Sequence, residues 1–523
     1  MRRFSWVWLA VGTALSPFIN FQTAVPVAAW LAPVFLLRFA RSQRLRVAVP
    51  VLVVVNTVAM LVALRHGFFP FQSGIGYYLF ILGIGFAGML PYLADRLLVP
   101  RLDGLIGTLV FPLAATAADW IGTFGNPFGT AGSVAYSQYG DLALVQVVSL
   151  TGIWGLTFLI NWLAPVANLV WESGWHWPSI RAATSSFGVA LLAVLFFGGV
   201  QLAFRKPEAP TVRVAALAPN RALADRANAV RLPHGGPVAD QVAARTAVLD
   251  PILDDLFDRS QQAARGGAKI VTWSEAAAYV FAEDLPATIA RGQRLARDEG
   301  IYLQLGVISI LPSAQFPLNE NRAILIGPAG EVTWNYAKSK PTPGDGHRPG
   351  PGVIPVVDTP YGRIAAAICQ DDFFPDLVRQ AGRQGADVLL LPSSDWRPIA
   401  DWHAQVAPIR AIENGVAVVR PTRQGTSMVT DHQGRLLGYK ADYFAADEQT
   451  LITALPTRGA TTIYPRIGDL FAYTDAAALA VLIGIAIRHR RGGDSTPPST
   501  PDRSSFAKSR HGASASVLSA GRP

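Results

Sequence analysis

The chain has 523 residues, of which 50% are hydrophobic and only 15% charged; its formal net charge is +9 and it has one cysteine. Soluble globular chains carry about 25% charged residues, so this balance excludes a protein that is soluble throughout. The arginines sit at the ends of apolar runs rather than in a basic stripe interleaved with aromatics, which argues against nucleic-acid binding. A single cysteine excludes an internal disulfide.

Residues 1–204 hold seven apolar runs, near 4–20, 24–40, 47–65, 74–94, 104–122, 143–170 and 184–203, and an eighth lies near 468–487. A run of roughly 20 residues spans the hydrocarbon core as a helix. The first run, after Met1-Arg2-Arg3, has the outline of a signal peptide, but the runs behind it favour a retained helix. Basic residues in short loops favour the cytoplasmic side. With the N-terminus inside, Arg41, Arg44, Arg46, Arg96, Arg101, Arg181, Arg488, Arg490 and Arg491 also fall inside, and Arg65 is the exception. Seven crossings over 1–204 then place 205–465 outside the cytoplasm. The helix over 466–488 returns the chain, so both termini are cytoplasmic. Residues 489–523, rich in Ser, Pro, Gly and Ala, read as a disordered tail.

Residues 205–465 read as a soluble domain. Strands are expected at Val212–Leu217, Lys269–Trp273, Tyr302–Ile308, Arg322–Ile326, Val332–Tyr336, Ile364–Cys369, Val388–Pro392 and Val416–Arg420, and helices near 244–264, 285–299, 375–384 and 402–414. Such alternation predicts a layered α/β domain. Ala329-Gly330 reads as a hairpin turn.

Three polar residues close these strands: Glu275 after Lys269–Trp273, Lys338 after Val332–Tyr336, and Cys369 at the end of Ile364–Cys369. Chemistry in α/β folds gathers beyond the carboxyl ends of strands. A thiol is a good nucleophile only as thiolate. A carboxylate can take its proton, and an ammonium can stabilise the thiolate and an oxyanion. Amides at the start of a helix near Phe374 are expected to add to the oxyanion site. Bland readings stand beside this one: Glu275 as a helix-start charge, Lys338 as a hairpin-edge lysine and Cys369 as core packing.

In the order Trp273-Ser274-Glu275, Tyr336-Ala337-Lys338 and Ile368-Cys369, the chain resembles the nitrilase, or carbon–nitrogen hydrolase, superfamily. Ser393-Ser394-Asp395-Trp396, Arg410-Ala411-Ile412-Glu413-Asn414-Gly415 and Arg420-Pro421-Thr422 extend the likeness over about 240 residues. The resemblance implies a four-layer α-β-β-α sandwich with a Glu275-Lys338-Cys369 triad. The helices around that domain, with Tyr136-Ser137-Gln138 and Leu150–Phe158, are similar to the apolipoprotein N-acyltransferase family, multi-pass proteins of the bacterial inner membrane. That likeness implies ping-pong acyl transfer without metal or organic cofactor. Cys369 would take a fatty acyl group from the sn-1 ester of a membrane phospholipid. Glu275 would be base and then acid, Lys338 would stabilise the tetrahedral intermediate, and the N-terminal amine of an apolipoprotein would receive the acyl group.

The chain departs from that family between lysine and cysteine. Thirty residues separate Lys338 from Cys369, and Pro341–Gly352 is rich in Gly and Pro with no aromatic residue, where the family has a long apolar arm. Gly346 stands where a glutamate is usual, with Asp345 beside it as a substitute acid. Cys369-Gln370-Asp371 replaces Cys-Tyr-Glu, and Ser393–Trp396 is shortened. Asp345, Gln370, Asp371 and Trp396 are therefore the candidates for substrate binding or for support of the triad. His347 and His403 are conceivable acid–base partners, but His403, in Asp401-Trp402-His403 at an expected helix start, reads first as a cap or surface residue. Trp396 and Trp402 fit a pocket wall or a membrane surface equally. Two other readings stay open: a membrane-anchored nitrilase-type amidase or acyltransferase acting on another amine or amide, and a catalytically inactive scaffold.

Overall fold

The computed structural model describes residues 4–65, 74–205, 210–230, 232, 238–313 and 315–493. Most of the expected tail over 489–523 lies outside them. Among the described residues, six helices are long and apolar enough to cross a membrane: Leu45–Ala63, Ile75–Arg101, Gly104–Ile121, Ile153–Glu172, Trp177–Phe204 and Leu470–His489.

The other two expected spans form helices below that length. The first ends after 11 residues, Ser5–Leu15, because Pro17 opens a separate turn at Ser16–Phe18. The second, Pro26–Ser42, has 17 residues. The run over 143–170 is broken at Gly152, whose φ of +63° excludes a continuous helix. A Cβ there would lie 2.4 Å from the Tyr464 ring. Leu142–Val145 and Val148–Thr151 remain single helical turns, and the long helix starts at Ile153. Arg41 ties the bundle together, pairing with buried Asp95 at 2.7 Å and with exposed Glu172 at 3.1 Å. A charge this costly to bury is held where it is paired.

The α/β half contains two sheets. In the first, the strand order is Thr450–Pro456, Thr211–Leu217, Ile270–Trp273, Tyr302–Ile310, Asn319–Ile326 and Val332–Ala337, with Ala278–Phe281 also paired to Tyr302–Ile310. Its three central strands are parallel, with Val214 opposite Ile270 and Ile270 opposite Tyr302. In the second, the order is Leu436–Lys440, Ser427–Thr430, Ala417–Arg420, Val388–Leu390, Gly362–Ala366 and Val356–Thr359. Parallel strands need cover on both faces, which is why their sequences are apolar almost without alternation. Val214, Ala216, Ile270 and Leu325 share one core with Ile364, Leu389 and Val418 of the second sheet. Ala215, Leu217, Val271 and Trp273 point the other way, onto Leu256, Phe257 and Leu295. The helices Asp250–Arg265 and Leu285–Glu299 supply those residues. Pro375–Arg383 and Val406–Asn414 cover the second sheet through Leu377, Val378, Ala407 and Ala411. The result is the expected four-layer α-β-β-α sandwich beside a helical bundle.

The two halves share a core. Phe128, Tyr136 and Trp154 of the bundle side pack with Phe373, Trp402, Ile409 and Ile412 of the sandwich. Buried Arg410 reaches Thr130 at 3.3 Å, bonds Tyr136 and pairs with Glu413, whose other oxygen accepts from the Ile153 amide at 3.0 Å.

Candidate active site

The ends of three strands converge on a cavity of about 250 Å³ lined by Glu275, Lys338 and Cys369. Each is fixed by its backbone. Ser274, just before Glu275, donates to Leu217 O at 2.7 Å, the Lys338 amide donates to Asn321 O at 2.9 Å, and the Cys369 amide donates to Pro392 O at 2.9 Å. Cys369 has φ +48°, and Ala276 and Gln424, with φ +51° and +53°, line the same cavity. Left-handed conformations of non-glycine residues cost of order 1–3 kcal/mol and cluster at functional sites.

Lys338 Nζ donates to Glu275 Oε1 at 2.7 Å, and Asn321 Nδ2 donates to the same oxygen at 2.6 Å. Burial alone would raise the Glu275 carboxyl. The Lys338 ammonium and the bonds from Lys338, Cys369 and Asn321 outweigh it and hold the group below the usual carboxylate range. Burial likewise opposes the Lys338 charge, but Cys369, Glu275 and Asp345 push its pKa up. Burial and the Glu275 charge raise the Cys369 thiol well above its ordinary value, against the pull of Lys338. These directions together favour a thiol beside a carboxylate and an ammonium. The thiol is 3.6 Å from Ser394 O.

The segment after the cysteine differs from expectation. A 3-10 turn runs over Cys369–Phe373, and the helix begins at Pro375. The Asp371 amide is used by Ile368 O and the Phe374 amide by Asp371 O, so neither is free for an oxyanion. Lys338 supplies positive charge beside Cys369.

Of the other candidates, Asp345, Gln370 and Trp396 line the cavity. Gln370 joins two loops across the nucleophile: Thr342 Oγ1 donates to it at 2.8 Å, and it donates to Pro127 O at 2.8 Å. Asp371 is buried behind the site, accepting from Tyr336 OH at 2.7 Å, Lys340 N at 2.7 Å and Ile368 N at 3.0 Å. It braces the turn and does not line the cavity. Trp396 and Trp402 both stand on the cavity wall, and Trp402 packs on Phe21 at 5.4 Å.

His403 is not at the surface, contrary to the sequence reading; it is 1% exposed. Its Nδ1 lies 2.7 Å from Asp395 Oδ1 and its Nε2 3.1 Å from Asp372 Oδ1. Burial opposes a charged ring, but the two carboxylates raise its pKa. Arg420 Nη2 bonds both oxygens of Asp395, at 3.2 and 3.0 Å. Cys369, Asp395 and His403 form the one metal-like cluster among the described residues, their ligand atoms within 4.8 Å of one another. The donors do not suit a cation: both His403 nitrogens are directed at carboxylates, and Asp395 is bonded to Arg420. Sequence reasoning missed Asn321, Asp372 and His403 as parts of the site. The Asn319-Glu320-Asn321-Arg322 run, polar inside a buried strand, was the available signal for Asn321.

A second cavity, of about 750 Å³, lies among the helices of the bundle, lined by Phe80, Ile84, Phe111 and Ala115. Phe128 lines both cavities.

Residues 230–463 match the carbon-nitrogen hydrolase family. An apolipoprotein N-acyltransferase from Geobacter metallireducens is 25% identical over 428 residues, 74% of this chain and 75% of that protein. One from Rhodopseudomonas palustris is 25% identical over 411 residues, 72% and 73% of the two chains. Among solved structures, an amidase from Nesterenkonia sp. is 22% identical and covers 50% of this chain and 95% of its own, with a TM-score of 0.39.

Proposed function

As a chain that belongs to the apolipoprotein N-acyltransferase family within the carbon–nitrogen hydrolases, the protein, we propose, moves a fatty acyl group from a membrane phospholipid, through a thioester on Cys369, to the N-terminal amine of a diacylglyceryl-cysteine lipoprotein. The observation that carries this reading is the buried Glu275–Lys338 pair beside the Cys369 thiol, in a cavity that shares Phe128 with an apolar cavity of the bundle.

Glu275 takes the thiol proton as sulfur attacks the ester carbonyl. Lys338 faces the charge that develops on oxygen, where a pre-placed cation in a dry site is most effective. Glu275 then returns the proton to the leaving lysophospholipid. In the second half, the amine attacks the thioester and the thiol is restored. The bundle cavity, which meets the site at Phe128, is where the acyl chain would lie, so the short Gly- and Pro-rich segment over Pro341–Gly352 need not shield it. The arginine distribution supports an extracytoplasmic α/β half, 205–465, between a bundle over 1–204 and a last helix over 466–488.

The test supplies purified protein with phospholipid and a diacylglyceryl peptide bearing a free α-amine, and follows triacylated product by mass spectrometry. Product from the wild type and none from Cys369→Ala is expected. A thioester on Cys369 without transfer to this peptide would favour a different amine acceptor.

A further inference from the structure

The two half-reactions differ by one proton. Ester plus thiol gives thioester plus alcohol, with no net proton. An α-amine, with an ordinary pKa of about 7.7–8.0, reaches the site largely as ammonium at pH 7. Ammonium plus thioester gives amide, thiol and one free proton. Glu275 cycles a single proton between nucleophile and leaving group, so the additional proton needs another acceptor inside the cavity.

The wall of the cavity holds one. His347 lines it together with Glu275, Lys338, Asp345 and Cys369. Its Nδ1 is buried and has no hydrogen-bond partner. The residue is anchored by its backbone, which bridges to Asn319 at the edge of the first sheet, so the ring is presented from a fixed position. The charged groups around it are Lys338 and Glu275 at the strand ends and Asp345 on its own loop. The next residue, Arg348, is occupied by Glu320 at 3.0 Å. Burial and the Lys338 ammonium lower the imidazole's pKa, which keeps the ring neutral at pH 7.

We infer that His347 is the base of the second half-reaction: it removes the extra proton from the acceptor ammonium, so that the neutral amine attacks the Cys369 thioester. The N–H bond of the ammonium breaks, its electron pair becomes the nucleophile, and the proton leaves through the imidazole to solvent. This rests on the reading that the site acylates an amine, but not on which amine.

The test separates the halves. The acyl thioester is formed on wild type, His347→Gln and His347→Asn, with lysophospholipid release giving the first rate. It is then discharged by either of two small probes: glycinamide, which is protonated at neutral pH, or hydroxylamine, which is not. In both His347 variants the first rate and the hydroxylamine rate are expected to stay near wild type. The glycinamide rate is expected to fall roughly 6- to 11-fold at pH 7, the factor by which protonation depletes a free amine of pKa about 7.7–8.0 there, and to recover as pH rises and the free amine accumulates. Equal loss with both probes, loss in the first half, no loss, or a wild type that forms no thioester would each overturn the inference. Failure of the wild type with the lipopeptide but not with glycinamide would instead count against the lipoprotein acceptor.

Discussion

Lys338 and Asn321 occupy the same oxygen of Glu275, at 2.7 and 2.6 Å, while the second carboxylate oxygen has no nitrogen or oxygen donor. The Cys369 thiol, bonded to Ser394 O, also helps hold this carboxylate charged. A base poised to take a proton needs this arrangement: charge held in place from one side and a lone pair open on the other.

Glu275→Gln should therefore separate acidity from reactivity. The Glu275 charge is one of the causes that raise the thiol, and Lys338 opposes it. Without the carboxylate, Cys369 should become more acidic, and iodoacetamide labelling should reach half its maximum at lower pH than in wild type. Acyl-thioester formation should nevertheless fall by about 100- to 10,000-fold, the usual worth of a general base. Faster acylation in the variant would show that Glu275 is not the base.

The acid limb of acyl transfer should lie below the ordinary glutamate range. The folded carboxyl of Glu275 is lowered, so its contribution to stability is present above its unfolded value of about 4.3 and is lost as pH falls through the folded one. Asn321→Ala removes one bond to the carboxylate while keeping Lys338, and should move the acid limb of lysophospholipid release upward. Lys338→Met leaves a buried carboxylate unpaired, which costs about 3–5 kcal/mol, and thermal unfolding in detergent should show it. An acid limb in Asn321→Ala identical to that of wild type would contradict this account.

The triad was legible because all three residues end apolar strands, where a short polar step after Trp273, Tyr336 and Ile368 stands out against the run before it. The support around them was not. Asp401-Trp402-His403 reads as a helix start, and nothing local tells that His403 meets Asp372, 31 residues back in the chain. Among the strands, Val356–Thr359 and Leu436–Lys440 were missed because they are edge strands with exposed and charged residues. Ala278–Phe281 and Ser427–Thr430 are too short to show a period. The helix ends in the bundle were hidden for a related reason. Hydropathy registers apolar length but not the positive φ at Gly152 or the proline turn after Leu15 that divides it.

His403 should act as a clamp whose strength depends on pH. It bridges Asp372, on the turn that carries the nucleophile, to Asp395, next to Ser394, whose carbonyl meets the thiol. Its pKa is raised, with burial opposed by Asp395 and Asp372. The stability it adds is thus fully present below its unfolded value of about 6.5 and is lost as pH rises through the folded one. Thermal unfolding of the wild type should weaken over that upper window, and His403→Gln should be less stable at pH 6 and lack this dependence. A variant with the wild-type pH profile would remove the clamp from consideration.

The contact between bundle and nucleophile turn can be tested with one methyl group. Gly129 has φ +48°, and a Cβ there would stand 2.4 Å from Phe373 O and 3.2 Å from the Phe374 ring. Phe373 O already accepts from Thr130 N at 2.9 Å and Thr130 Oγ1 at 2.7 Å. Alanine must therefore push the Cys369–Phe373 turn away from the bundle. Gly125 is the control: its φ is +71°, yet nothing lies within 4 Å of its Cβ position. Both alanine variants carry the left-handed penalty of roughly 1–2 kcal/mol, but only Gly129→Ala adds the collision. Thioester formation on Cys369 should fall about tenfold in Gly129→Ala, since a misplacement of about 1 Å can cost far more, and stay near wild type in Gly125→Ala. Equal rates in the two variants would mean that the bundle loop does not set the position of the nucleophile.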